Sequence, residues 1–246
     1  MSSKLFISAG HSGIQIVPRG QTRDRGATGN GLIEGVEAVK IRTRVIQVLK
    51  EKYGIQAVAD GNDSILSESI NFFRKLTSKD AILLDIHFNS GVPTATGIET
   101  FVPDDANEKE LSLAQALSTT LGAVMGIPLR GNFRNRRGVK SEAESQHKKL
   151  GWMRLTGNNV LLELCFISNA SDVAKYLANF DRVCETIADQ LAWALDIAPQ
   201  AKIYVVKQGD SLWAVSRATG VTVEKLRQLN GLQDNTLRIG QTLKLD

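Results

Sequence analysis

Val160-Leu-Leu-Glu-Leu-Cys-Phe166 carries a single acidic residue in an otherwise unbroken apolar run. A strand with one face in water alternates apolar and polar residues, so a short run without alternation reads as a strand covered on both faces. Ala81-Ile-Leu-Leu-Asp-Ile86 has the same character. Leu5-Phe-Ile-Ser8, Ile55–Ala59 and Gly97-Ile-Glu-Thr-Phe-Val102 supply further strands. Between them the apolar period changes. Val36, Val39, Ile46 and Leu49 recur at helical spacing from Ile33 to Lys52, and Gly54 is placed to end that helix. Ser67–Leu76 reads as a second helix. Ala106–Gly122 is a third, with Leu111, Ala114, Leu117 and Leu121 on one face, and Asp172–Leu195 reads as one long amphipathic helix. Strands alternating with helices predict an α/β domain: a mostly parallel, twisted sheet flanked by helices. Gly126–Leu150, polar and strongly basic, is expected to be loop.

The pattern changes after the last helix. Residues 197–202 form a short linker in which Pro199 cannot continue a helix. Beyond it come a strand at Tyr204-Val-Val206, a helix Ser211–Thr219 with Asp210 as expected N-cap, a helix Val223–Leu229 behind Thr222, and a strand Gln241–Leu245. Asn230-Gly231 ends the second of these helices. The expected division is residues 1–196, linker 197–202 and a small β-α-α-β unit over 203–246. So small a core suits a binding module rather than a second enzyme.

With 246 residues, 42% hydrophobic and 23% charged, the composition is that of an ordinary globular protein. No apolar run approaches the roughly 20 residues of a membrane-spanning helix, so no membrane insertion is expected. The start, Met1-Ser-Ser-Lys-Leu-Phe-Ile, lacks a secretory signal pattern, which leads to the expectation of cytoplasmic synthesis and release to any outer substrate by another route. Two cysteines, Cys165 and Cys184, are too few for a disulfide framework and sit within apolar patterns, as buried thiols do. A formal charge of +4 suits any polyanion, cell wall or nucleic acid, without choosing between them. The basic residues Arg130, Arg134, Arg136, Arg137 and Lys140 lack the interleaved aromatics of a nucleic-acid surface, so no nucleic-acid partner is expected.

In an open α/β sheet, ligands bind beyond the carboxyl ends of the strands. His11 follows the first strand, His87 directly follows the third, Glu163 lies in the last, and Glu34 opens the first long helix. Two histidines and a carboxylate are a standard protein set for catalytic zinc, with a further carboxylate for proton transfer. Spacing alone fits hydrogen-bonded structural histidines equally well. Only three histidines are present, however, and two fall at strand ends, which favours a metal. His147, between Gln146 and Lys148, reads as an exposed side chain, and Trp152 and Trp193 fit core or helix-face positions.

An ordered set of segments sharpens this. Gly10-His11-Ser-Gly13, Gly31-Leu-Ile-Glu34, Ile86-His87-Phe-Asn89, Gly97-Ile-Glu-Thr100, Arg137-Gly-Val-Lys140 and Leu162-Glu163-Leu-Cys-Phe-Ile-Ser-Asn169 resemble, in order, the zinc N-acetylmuramoyl-L-alanine amidases called Amidase_3. The resemblance covers about residues 4–195. It implies Zn2+ held by His11, Glu34 and His87, with Glu163 as catalytic carboxylate, and contacts to substrate from Asn89, Arg137 and Lys140. Glu37, one turn after Glu34, competes for the metal; the Gly-Leu-Ile-Glu context favours Glu34. The chain departs from the family's usual pattern at Ser8-Ala9, where Asp-Pro is common, at Ser12 and Cys165, where glycine is usual, and at Asp85, where serine is common.

Tyr204-Val-Val-Lys-Gln-Gly-Asp-Ser-Leu-Trp213, Leu229-Asn-Gly231 and Leu237-Arg-Ile-Gly-Gln-Thr-Leu243 resemble a LysM domain. That likeness implies a shallow glycan groove between Gly209, Asp210, Ser211 and Leu212 on one side and Leu237, Arg238, Ile239 and Gly240 on the other, with Trp213 expected in the core. The partner so implied is bacterial peptidoglycan, both glycan strands and stem peptides. A two-carboxylate muramidase or glucosaminidase using Glu34 and Glu163 is the alternative enzyme; it leaves both histidines unexplained. A non-catalytic wall-binding protein is the other. The biological setting implied is a phage endolysin or a host autolysin.

Overall fold

In a computed structural model describing residues 4–11, 16–17, 21–22 and 24–246, the apolar runs assemble into one six-stranded sheet. Ser12 and Gly13 of the first quoted motif lie outside the described residues. The strands are β1 (Leu5–Ala9), β2 (Val58–Ala59), β3 (Ile82–Asn89), β4 (Glu99–Val102), β5 (Val139–Ser141) and β6 (Asn158–Phe166), in the order β5-β4-β6-β3-β1-β2. β2, β1, β3 and β6 pair in parallel, but β4 runs antiparallel to β6, and β5 follows β4. Only residues 90–98 separate β3 from β4. A parallel return needs a crossover of about a dozen residues or more, so β4 turns back and its first residues land on the rim where β3 ends.

The two apolar runs are covered on both faces as expected. Along β3 and β6 every residue is buried except His87, Asn89 and Glu163. One face packs against α1 (Glu34–Tyr53), with Ile41, Val45 and Leu49 inward. The other is closed by α2 (Leu66–Arg74) and the short turn Gly151–Arg154, where Phe73 meets Trp152 and Phe6 edge-on at ring-centroid distances of 5.5 and 5.8 Å. Gly54 (φ 69°) ends α1 in the left-handed region and bonds back to the carbonyls of Leu49 and Lys50. Among the described residues, no helix is long and apolar enough to cross a membrane.

Two expectations are corrected in this part of the chain. The stretch 126–150 is not all loop: after α3 (Glu108–Met125) it holds β5 and a tight hairpin pairing Asn132–Phe133 with Arg136–Arg137. The long C-terminal helix is two, α4 (Ala170–Ala178) and α5 (Phe180–Ala194). Asn179 breaks it. Its side-chain amide donates to the Lys175 carbonyl and its backbone N–H to Tyr176, so side chain and a tightened turn replace the helical ladder. Both cysteines are buried free thiols, and burial raises both above the ordinary thiol range.

Below the rim lies a buried charged network. Arg42 of α1 bonds Asp60 and Asn62, while the Ser8 hydroxyl donates to the other Asp60 oxygen at 2.9 Å and Ser69 joins it there. Removing one partner strands the other charge away from water. Arg42→Met is therefore expected to lower stability by about 3–5 kcal/mol in urea denaturation.

The remaining residues, from Pro199, form a separate unit. Here β7 (Ile203–Val205) pairs antiparallel with β8 (Thr242–Lys244), and α6 (Leu212–Thr219) and α7 (Val223–Asn230) bury Val206, Leu212, Val215, Leu226 and Leu243. Thr222 caps α7 as expected, but α6 is capped by the Ser211 hydroxyl and not by Asp210. Asp210 instead accepts from the Tyr204 hydroxyl at 2.8 Å and the Lys207 N–H at 2.6 Å, which tightens the preceding turn. Trp213 is likewise corrected. Leu212 and Val215 take the inward face of α6, leaving Trp213 65% exposed with the Arg217 guanidinium 5.2 Å above its ring.

Candidate metal centre

Three elements deliver three side chains to one point. His11 follows β1 with φ 57°, a left-handed conformation that turns the chain away just after the strand. Glu34 is the first residue of α1, and its carboxylate is clamped by backbone: Oε2 accepts from Ala27 N–H at 2.8 Å and Oε1 from Phe88 N–H at 3.0 Å. His87 lies near the end of β3, with Nδ1 3.1 Å from Glu34 Oε1. The His11 Nε2 is 3.9 Å from the same oxygen, and the two imidazoles stand edge-on at 5.0 Å. One donor atom from each of the three falls within 4.8 Å of the others.

Each histidine turns its second nitrogen to a carboxylate, His11 Nδ1 to Asp24 at 2.7 Å and His87 Nε2 to Asp85 at 3.0 Å. Such partners fix the tautomer and aim the remaining nitrogen, as they do for metal-bound imidazoles. Burial alone would raise the Glu34 carboxyl, but the hydrogen bond and charge of His87, with His11 and the Ala27 N–H, outweigh it and hold its pKa below the usual range. At His87 burial works against protonation, and the Asp85 and Glu34 carboxylates overcome it, holding the pKa well above the imidazole norm. Glu37 faces elsewhere: its oxygens accept from the Tyr176 hydroxyl at 2.9 Å and the Lys40 ammonium at 2.7 Å.

Glu163 lies on β6 in register with His87 on β3. Among the described residues its Oε2 is buried without a hydrogen-bond partner, and burial pushes its pKa up to about 8, with His87 working the other way. An unpartnered carboxylate oxygen thus lies near His87 and Glu34, two of the three side chains that could hold a metal ion. The donor set fits a divalent ion.

These residues line a cleft of about 490 Å³. Asn89 and Lys140, for which the resemblance implies substrate contact, line this cleft, whereas Arg137 sits exposed on the hairpin outside the lining, and Arg130 takes a place in the wall. His147 is exposed and lines the cleft mouth. Sequence reading missed Asp24, Asp85 and Glu99. Asp85 was within reach, since residues two apart on a strand share a face; Glu99 was not, because its position depends on β4 running backwards.

Glycine is required twice at this centre. A Cβ on Gly10 would fall 2.2 Å from the His87 ring, and one on Gly26 (φ 68°) would fall 2.6 Å from Glu34 Oε2. Gly10→Ala is therefore expected to displace the His87 ring and cut bound metal severely while leaving the circular dichroism spectrum intact; elemental analysis checks this.

The chain belongs to the Amidase_3 family, N-acetylmuramoyl-L-alanine amidases, whose model matches residues 5–195, and it carries a LysM domain matched over residues 204–246. It is 30% identical over 172 residues to the uncharacterized protein YqiI of Bacillus subtilis (strain 168), a match covering 70% of this chain and 73% of YqiI. A protein from Neisseria meningitidis assigned as an N-acetylmuramoyl-L-alanine amidase shares the fold with a TM-score of 0.62 and 27% identity, over 81% of this chain and all (100%) of that one. The C-terminal unit is 52% identical over 44 residues to part of the Autolysin of Enterococcus faecalis (strain ATCC 700802 / V583), covering 18% of this chain and 6% of that protein.

Proposed function

We propose that this protein hydrolyses the amide bond between N-acetylmuramic acid and L-alanine in peptidoglycan, with zinc held by His11, Glu34 and His87, and that its C-terminal unit binds wall glycan. The observation that carries the reading is the meeting of those three donor groups beside the unpartnered Glu163 oxygen. Zinc held by these three residues would supply Lewis acidity and would lower the pKa of a water to about 7. Glu163 takes the proton of the attacking water and delivers it to the alanine nitrogen as the C–N bond breaks, leaving a lactyl carboxylate and a free amine. A group whose affinity for protons is lifted by burial and lowered by a neighbouring cation is suited to give and retrieve one near neutral pH. The Asp24 and Asp85 carboxylates keep the two imidazoles aimed during turnover.

A two-carboxylate glycosidase is disfavoured because Glu34 is fully engaged by His87 and two backbone N–H groups. Digested walls decide between the two. New alanine amino termini support the amidase; new reducing ends without them would replace it with a glycosidase.

In the C-terminal unit, Val206 exchanges backbone hydrogen bonds with Gly240 and Gln241 at 2.8 Å, which supports a groove between the Gly209–Ser211 loop and Arg238–Gly240. Leu212 is core and Leu237 packs against that core; of the other six residues Gly209, Ser211, Arg238, Ile239 and Gly240 are exposed and Asp210 is half-buried. Tethering a catalyst to its polymer raises effective concentration, with gains of roughly 10²–10⁴ where geometry permits. A truncation before Pro199 is expected to retain activity on soluble muropeptides and lose potency on intact walls; equal potency on both would remove the anchoring role.

A further inference from the structure

The wall of the cleft beyond Glu163 holds a pair of cations that metal chemistry does not use. Glu99, 3% exposed, stands opposite Glu163 in the antiparallel register of β4 and β6. Its Oε1 accepts from the Asn89 amide at 2.7 Å, and its Oε2 accepts from both Arg130 Nε at 2.9 Å and Lys140 Nζ at 2.7 Å. One carboxylate thus holds two cations side by side on this part of the lining. The guanidinium is held in place by the Phe166 ring 4.9 Å beneath it, and Lys140 spends one of its three ammonium donors on Glu99. A salt bridge built only for stability needs one cation. Here the second is held at the cleft surface by an anion already neutralised, an arrangement that presents an aimed positive charge to a ligand.

We propose that Lys140 and Arg130 form a subsite for the free carboxylate of the second stem-peptide residue, and so make the enzyme prefer stems in which that group is not amidated. The proposal rests on the amide-hydrolase reading. Acetylated sugars with an amide-linked lactyl group are neutral, so the cationic end of the cleft suits the peptide side of the scissile bond. Neighbouring strands lie about 4.8 Å apart, and the two cations contact the Glu99 carboxylate at 2.9 and 2.7 Å. Extended peptide advances roughly 3.3–3.6 Å per residue. A chain leaving Glu163 towards β4 therefore meets the cation pair about two residues from the bond being cut.

Two soluble substrates test this, both a MurNAc-L-alanyl peptide with a γ-linked glutamate at the second position, one with its α-carboxylate free and the other with it amidated. Wild-type enzyme is expected to favour the free carboxylate by about 10- to 100-fold in kcat/KM, mainly through KM, as a charge-assisted hydrogen bond would give. Lys140→Met should collapse that ratio towards unity, and Lys140→Arg should restore most of it. A wild type indifferent to amidation, or a Lys140→Met protein that loses equally on both substrates, overturns the subsite. Binding of the two peptides to the Glu163→Gln protein, measured by calorimetry, reads the same preference without turnover. If wild type cleaves neither substrate, the amidase reading fails, while the calorimetric ratio still decides the subsite.

Discussion

Glu163→Gln is expected to lower turnover of muropeptides by about 10²–10⁴-fold, the range for loss of a positioned acid–base group, while zinc content stays near that of wild type. The exchange keeps shape and removes only the proton-carrying function. His11, Glu34 and His87 are positioned by Asp24, by backbone N–H groups and by Asp85, none of which depends on Glu163. Stability should move in a sense set by pH. In the ion-free protein the Glu163 carboxyl has a pKa of about 8, above its value of 4.5 in an unfolded chain. Between those values the unfolded chain sheds a proton that the folded protein keeps, so wild-type stability falls as pH rises. Glutamine does not titrate. The variant should therefore gain on wild type from pH 5 to pH 8 in chelator-treated samples. A variant that tracks wild type in denaturation across this window would show that burial does not hold the proton on Glu163.

His87→Ala is expected to reduce bound zinc from near-equimolar to trace amounts and activity to background. Losing a hydrogen-bond partner behind a ligand already costs about 10- to 100-fold in metal affinity, and losing the ligand itself should cost more. The alanine also leaves Asp85 buried beside an empty space, where its other oxygen already lacks a partner. In parallel, chelation should abolish wild-type activity and added zinc should restore it, with no recovery for the variant. Wild-type activity indifferent to chelation would end the zinc mechanism, and unchanged zinc in His87→Ala would place the ion elsewhere.

The order of strands and helices could be read from the apolar runs because β3 and β6 are covered on both faces and therefore tolerate almost nothing polar. Glu163 stood out as the one acidic residue of its run and His87 as the histidine that follows its strand, whereas Asn89 came only from the family resemblance. What escaped was decided by geometry outside the local pattern. The direction of β4 depends on the length of residues 90–98 and on β6 lying between it and β3, so Glu99 carried no local sign of its place on the rim. Asn179 interrupts an apolar period that continues on both sides, and periodicity counts do not register one side chain competing for a backbone carbonyl. In the C-terminal unit, Ser211 and Asp210 are both good caps by residue type. The Tyr204 hydroxyl and Lys207 N–H occupy Asp210 and leave the cap to Ser211. Arg130 and Arg137 look alike in a basic run, but one stacks on Phe166 inside the cleft and the other rides an exposed hairpin.

The outermost strands, Val58–Ala59 and Val139–Ser141, are also the shortest of the six. Long exposed strand borders act as templates on which another polypeptide can extend the sheet. Two or three residues offer such a visitor few unsatisfied N–H and C=O groups. The main sheet is therefore poorly suited to recruiting neighbours edge to edge, even where many copies of the protein accumulate together.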